Sequence, residues 1–281
     1  MDKNNLLLEI DLCYKELTRT EKKIADFVMK EAERVLFMSI TELADNCGVA
    51  EASVHRFCRA LKIKGYQEFK MRLSLSLNKD SQPASNGEST KKGKGLIGGI
   101  LQNHINAIRE TNELLDEKEV IKTVNMMSEA KNIVFVGVGN SMITAAEAYG
   151  RFLHITPKVY YVKDNHMQSM RAATASKDDM FIFFSYSGDT TDNINIAKLA
   201  KSYGAKVTVI SRYPKSPLTK EADSILICGS KESPLEGGSM GAKMSQLHII
   251  DVLFQYYYQH NLEESRRNNK ETAKANLDKF S

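Results

Sequence analysis

Met180-Phe181-Ile182-Phe183-Phe184 runs directly into Ser185-Tyr186-Ser187-Gly188-Asp189-Thr190. Five apolar residues without polar alternation read as a strand buried on both faces. A helical pattern follows from Thr191 to Tyr203. A buried strand therefore hands over to a helix through a turn of two serines, a glycine and a threonine. The free N–H groups and dipole of a helix N-terminus favour an anion. A glycine lets the backbone approach that anion, and hydroxyls add donors. Ser185, Ser187, Gly188 and Thr190 are the expected phosphate ligands.

The same alternation extends on both sides of this segment. Asn132-Ile133-Val134-Phe135-Val136, Val159-Tyr160-Tyr161-Val162, Val207-Thr208-Val209-Ile210 and Ile225-Leu226-Ile227-Cys228 are further short apolar runs. Helical patterns separate them, near 141–154, 166–175 and 190–203, after a helical lead-in over about 97–129 and before a long helix at roughly 240–260. The spacing predicts an α/β domain, a five-stranded parallel sheet sandwiched by helices. Gly137-Val138-Gly139-Asn140-Ser141 is a second strand-to-helix turn. A dinucleotide fingerprint would need glycine at position 142, which is Met142, and no Gly-Lys-Ser/Thr run occurs, so nicotinamide and ATP sites are poor readings and no cofactor is expected. Asn140 and Ser141 would meet a bound sugar or phosphate from this first turn, at the carboxyl ends of the strands.

Residues 6–77 read as all helix. Thr18-Arg19-Thr20-Glu21 and Ser39-Ile40-Thr41-Glu42 are capping boxes. Ala44, Gly48 four residues on and Val54 six further on fit a helix-turn-helix: a small residue at the helix crossing, a left-handed turn and a branched apolar residue. Val54, Phe57, Cys58 and Leu61 form one buried face. The opposite face carries Ala52, His55, Arg56 and Arg59, with Ser53 at its margin, a major-groove surface. Lys62, Lys64, Tyr66 and Lys70 are expected to hold DNA phosphates. From Gly48 to Lys79 seven Lys/Arg face two acids, although the whole chain is only mildly basic at +4.

These features divide the 281 residues into a helix-turn-helix domain at 1–77, a Gly/Ser/Lys-rich linker at 78–95 and a sheet domain at 96–281. The tail from 262 is a charged helix or disorder. Cys13, Cys47, Cys58 and Cys228 show no ligand spacing, which argues against a disulfide framework or zinc site. The first residues lack a signal peptide's layout, and no run approaches the roughly 20 apolar residues of a membrane span. A cytoplasmic protein is expected.

Taken together, the motifs resemble the RpiR/MurR-type bacterial transcriptional regulators over about residues 6–260. The N-terminal match is Leu17 to Ala25, Ser39 to Ala44, Val54 to Leu61 and Lys64 to Lys70. The C-terminal match looks like a sugar isomerase (SIS) domain: Gly137 to Ser141, Ser185 to Thr190, Ala200 to Ala205, Ser216-Pro217-Leu218 and Ala222-Asp223. The resemblance implies a non-enzymatic regulator that binds operator DNA, with a phosphosugar effector in the SIS domain and assembly as a homodimer or homotetramer. One departure is Ala50, where the family carries Ser or Thr as the recognition-helix cap; either another residue caps this helix or its start frays. His55 is also unusual. Glu236, in a Ser/Gly/Pro-rich loop, is a candidate sugar ligand. The alternative is a sugar-phosphate isomerase or lyase, for which Glu232, Glu236 or His166 would supply the base. A third reading, a DNA-binding structural protein without effector, is disfavoured by the two phosphate turns. The long helix near 240–260 has more apolar positions than one face needs, which fits core packing or a subunit interface.

Overall fold

Thr18 and Ser39 each open a helix by the same device: the hydroxyl accepts the N–H three residues on, and the glutamate there returns to the cap N–H. The computed structural model describes residues 5–77, 95–230, 232, 234–235, 238–275 and 277. The segment 78–94, most of the expected linker, lies outside the described residues. The chain divides into two compact units, Met1–Ile105 with Lys231–Ser239, and Asn106–Ser230 with Met240–Ser281.

The first unit holds α1 (Leu6–Cys13), α2 (Arg19–Lys30), α3 (Ala32–Val35), α4 (Ile40–Cys47), α5 (Glu51–Ala60) and α6 (Tyr66–Leu77). Ile10, Ile24, Val28, Leu43, Val54, Phe57, Phe69 and Leu73 share its core. Phe57 and Phe69 meet edge to face, with ring centroids 5.8 Å apart. Gly48 ends α4 in the left-handed conformation, with its N–H on Asp45 O and the Val49 N–H on Ala44 O. That turn sets α5 across α4. Ala50 starts α5 with no side-chain cap; the first turn is held instead by the Thr41 hydroxyl, which donates to the Glu51 carboxylate. An acidic residue there also suits the helix dipole. Ala50→Ser is expected to add the missing cap and raise the unit's stability by about 1 kcal/mol. Urea denaturation checks this; an unchanged midpoint would mean that Thr41 and Glu51 already satisfy the helix start.

Helix α7 (Leu96–Leu114) leads into the sheet unit. There α8 (Glu117–Glu129), β1 (Asn132–Gly137), α9 (Asn140–Leu153), β2 (Val159–Tyr161), α10 (Asn165–Ala173), β3 (Asp179–Phe184), α11 (Thr191–Ser202), β4 (Lys206–Ser211), β5 (Ser224–Ile227), α12 (Met240–His260) and α13 (Leu262–Lys274) follow in order. The five strands are all parallel, in the order β2-β1-β3-β4-β5. Alternate side chains serve opposite faces. Ile133, Phe135, Met180, Ile182 and Phe184 join α8, α9 and α12 in one core, whereas Val134, Val136, Phe181, Phe183, Val207 and Val209 join α10 and α11 in the other. At the amino end of β3, Asp179 is 3% exposed and bridges the sheet to α10: it accepts from Asn132 Nδ2 at 2.6 Å, Arg171 Nη2 at 2.9 Å and the Ser176 N–H at 2.7 Å. At the β5 edge, Glu119 of α8 accepts the Ser224 hydroxyl at 2.6 Å and the Ile225 N–H at 3.3 Å.

The tail, open between helix and disorder, is helical through Lys274. Asn268 donates to Ile155 O at 3.0 Å and Thr272 to His154 O at 3.1 Å, which docks α13 on the end of α9.

Candidate functional site

In the sheet order, β1 and β3 are neighbours, and the chain leaves β1 into α9 on one face and β3 into α11 on the other. This is the topological switch point, the place at the carboxyl ends of the strands where open parallel sheets bind ligands. Both expected anion turns belong to it. Asn140 is exposed and Ser141 half-buried at the start of α9. Ser185 is buried, its N–H continuing the ladder to Ile210 O at 3.0 Å. Ser187 and Thr190 are half-buried, and Thr190 is the α11 N-cap, its side chain making no capping bond. Among the described residues, the Ser187 and Gly188 N–H groups have no hydrogen-bond partner. Glu236 lies outside the described residues.

Two of the loop's carbonyls are taken. Tyr186 O accepts the Arg212 N–H at 3.0 Å and the Ser211 hydroxyl at 3.1 Å, and Gly188 O accepts the Leu218 N–H at 3.0 Å. The unpaired Ser187 and Gly188 N–H groups are the donors that a phosphate would need here. Gly188 has φ +64°, and a Cβ there would lie 2.1 Å from Ser216 Oγ.

Two partners of this site escape sequence reasoning. Gln168 of α10 is 1% exposed and donates through Nε2 to Gly137 O at 3.2 Å and Val162 O at 2.8 Å, tying the end of β1 to the loop after β2. A glutamine between Met167 and Ser169 carries no pattern that marks it as buried. Ser216 stood within a quoted motif, but its role as the wall behind Gly188 is a contact between distant segments. His166 is exposed on α10, and Glu232 accepts the Ser239 N–H at 2.8 Å. Among the described residues no group of three His, Cys, Asp or Glu could hold a metal. Burial pushes the Cys47 thiol up to about 11, so it carries no thiolate at neutral pH.

In the helical unit, His55, Arg56, Arg59, Lys62 and Lys64 are exposed, on α5 and the turn after it. Ser53 is not on that open surface: it is 4% exposed, and its hydroxyl accepts from Arg56 Nη2 at 2.9 Å. It positions Arg56. Lys70 corrects the expectation more sharply. It is 4% exposed, with its ammonium donating to Met38 O at 3.3 Å and 5.3 Å above the Tyr66 ring. Tyr66 is buried too and donates to the same carbonyl. Neither is at the surface where a phosphate contact requires it.

A helix-turn-helix in one unit and a five-stranded parallel sheet flanked by helices in the other define a class: helix-turn-helix transcriptional regulators carrying a SIS domain. The family profile of the rpiR helix-turn-helix domain matches residues 4–80, and that of the SIS domain matches residues 126–256. An uncharacterised HTH-type transcriptional regulator of Haemophilus influenzae is 35% identical over 89% of this chain and 88% of its own. The HTH-type transcriptional regulator HexR of Pseudomonas aeruginosa is 30% identical over 89% and 87%. The Vibrio vulnificus NanR protein, solved in complex with ManNAc-6P, superposes with a TM-score of 0.88 at 27% identity over 99% of this chain and 100% of that one. The chain belongs to the rpiR family of transcriptional regulators. Among the described residues no helix is long and apolar enough to cross a membrane.

Proposed function

We propose that this regulator binds operator DNA through α5 and is controlled by a phosphorylated sugar held in the β1–β3 crevice. The observation that carries the reading is the Ser185–Thr190 loop, with its Tyr186 and Gly188 carbonyls tied and its Ser187 and Gly188 N–H groups unpaired ahead of a helix N-terminus. Ser185, Ser187 and Thr190 would supply hydroxyls to the phosphate, and Asn140 and Ser141 would meet the sugar from the facing turn; Glu236 remains a candidate for the sugar hydroxyls. ManNAc-6P bound to the Vibrio vulnificus relative supports a phosphosugar as the ligand class. The sheet unit senses this ligand and does not transform it.

On the DNA side, Arg56 would contact a base or phosphate, with His55, Arg59, Lys62 and Lys64 around it. A homodimer or homotetramer would supply the paired heads that a palindromic site requires. Ile143 and Leu153 on α9 and Tyr256 on α12 are exposed apolar positions suited to such contact between copies, and elution as a monomer at micromolar concentration would refute it. The protein acts in the cytoplasm in this reading.

Fluorescence anisotropy on the DNA upstream of the protein's own coding region, across a panel of sugar and amino-sugar phosphates, tests the whole proposal. Specific binding should fall steeply with salt and shift with one compound. No specific binding, with turnover of one of those phosphates, would replace the regulator with an enzyme. Arg56→Ala should weaken specific DNA binding by about 1–3 kcal/mol, roughly 5- to 150-fold, and leave ligand affinity intact. Undiminished operator binding would remove Arg56 from the interface.

A further inference from the structure

The chain crosses the boundary of the sheet unit three times, and two of these exits concern the loop: between residues 105 and 106 within α7 and between residues 230 and 231 after β5. Inside the sheet unit these two exits are bolted to each other. Glu110 of α7 accepts the Ser230 N–H through Oε2 at 2.9 Å, and Thr111 accepts the Gly229 N–H at 2.9 Å. The packing is tight enough that a Cβ on Gly229 would lie 2.6 Å from the Thr111 nitrogen. Ser230 has φ +65°, a left-handed conformation that a serine holds only when its surroundings impose it. Its N–H is imposed by Glu110. Its carbonyl accepts the Tyr186 hydroxyl at 2.8 Å.

Tyr186 lies in the Ser185–Thr190 loop, so the anion turn grips the second exit directly. It grips the first through Arg212. The Arg212 N–H holds Tyr186 O, its Nη2 pairs with Glu110 Oε1 at 3.0 Å, and its Nη1 reaches Cys228 O at 3.4 Å. One carboxylate thus spans Ser230 and Arg212, and both lead to Tyr186. Arg212 is 18% and Glu110 36% exposed, so water screens the pair in part.

We propose that Glu110, acting through Arg212 and Ser230, is the positioning residue that transmits occupancy of the Ser185–Thr190 loop to helix α7. An anion that orders the loop fixes Tyr186. Tyr186 fixes the strained Ser230 turn from the carbonyl side and Arg212 from the backbone side. Glu110 then clamps α7, the helix through which the chain arrives from the DNA-reading unit. When the loop is empty and Tyr186 is free to move, Ser230 loses one of the two constraints on its left-handed conformation, and α7 loses its anchor with it. Ser230 is the two-state element that physical coupling requires. This inference rests on the anion-binding reading of the loop.

Amide hydrogen exchange of the full chain, with and without millimolar inorganic phosphate, tests it. In the wild-type protein phosphate should slow exchange in the 185–190 loop and, by about tenfold, in residues 106–114 of α7. Glu110→Gln should keep the protection of the loop and lose that of α7. Tyr186→Phe, which removes only the hydroxyl on Ser230, should reduce α7 protection in the same direction. A purely structural Glu110 would instead speed α7 exchange equally in both states and preserve the ratio, which would overturn the proposal. Absence of loop protection in the wild type would overturn the anion site itself, and the coupling with it. Loop protection without any α7 response in the wild type would overturn the coupling alone.

Discussion

Gly188→Ala is expected to destabilise the sheet unit by about 3 kcal/mol and to abolish binding of any phosphate ligand. Two effects add. An alanine at φ +64° is strained by its own backbone, and its Cβ would lie 2.1 Å from Ser216 Oγ and 2.6 Å from Ser216 Cβ. Ser216 cannot step aside. It is fully buried, its N–H and hydroxyl are paired with Thr219 Oγ1 at 2.8 and 3.1 Å, and the Thr219 N–H returns to its hydroxyl at 3.2 Å. The loop must therefore move, which misplaces the Ser187 and Gly188 N–H groups. Chemical denaturation and calorimetric titration with sugar phosphates measure the two consequences separately. A variant of wild-type stability with full ligand affinity would show that the loop and the Ser216 turn are not locked together.

Asp179→Ala should cost about 3 kcal/mol, because removing this buried carboxylate leaves half-buried Arg171 and Asn132 without their acceptor. The same residue sets an acid limb of stability. Burial pushes its carboxyl pKa up, but the hydrogen bonds from Asn132, Ser176 and Arg171 and the charge of Arg171 outweigh it and hold the group below the ordinary carboxylate range. A folded pKa below the unfolded value contributes stability that is fully present above about pH 3.9 and is lost as the pH falls through the folded value. Exposed Asp178, lowered by Lys131, titrates in the same direction. Denaturation midpoints between pH 6 and the acid limit should fall less steeply in the alanine variant than in the wild type. Parallel curves would mean that Asp179 does not govern the acid limb.

The elements that read correctly from sequence are those whose cause is local. The apolar run before Ser185, the capping boxes at Thr18 and Ser39 and the left-handed Gly48 each lie within a few residues of the structure they produce, and all five strands announce themselves by short apolar runs, interrupted only by Thr208 in β4. The burial of Lys70 is legible too, against its charge. Tyr66, Phe69, Lys70, Leu73 and Ser74 fall on one helical face, and all are buried. Spacing placed that lysine inside while its charge suggested outside. What stayed hidden depends on contacts across the fold. The start of α8 needs only Asp116, which accepts the Lys118 N–H, yet the apolar pattern before it runs on. The helical tail is held by carbonyls more than a hundred residues earlier, and the burial of Gln168 follows from two backbone carbonyls at different strand ends. For the candidate site, sequence supplied the groups that would touch a ligand but not those that brace them.

The lateral margins of the sheet have a bearing on how this protein behaves in crowded solution. At one margin β2 offers three residues, and at the other β5 offers four. The carboxylate of Glu119 occupies the Ile225 N–H, one of the few amides through which a foreign strand could add to β5. Margins so short, one of them plugged by a side chain, give little template for runaway strand-on-strand growth. Contact through helices, unlike contact through strand margins, writes the choice of partner in side chains rather than in the backbone that every protein shares.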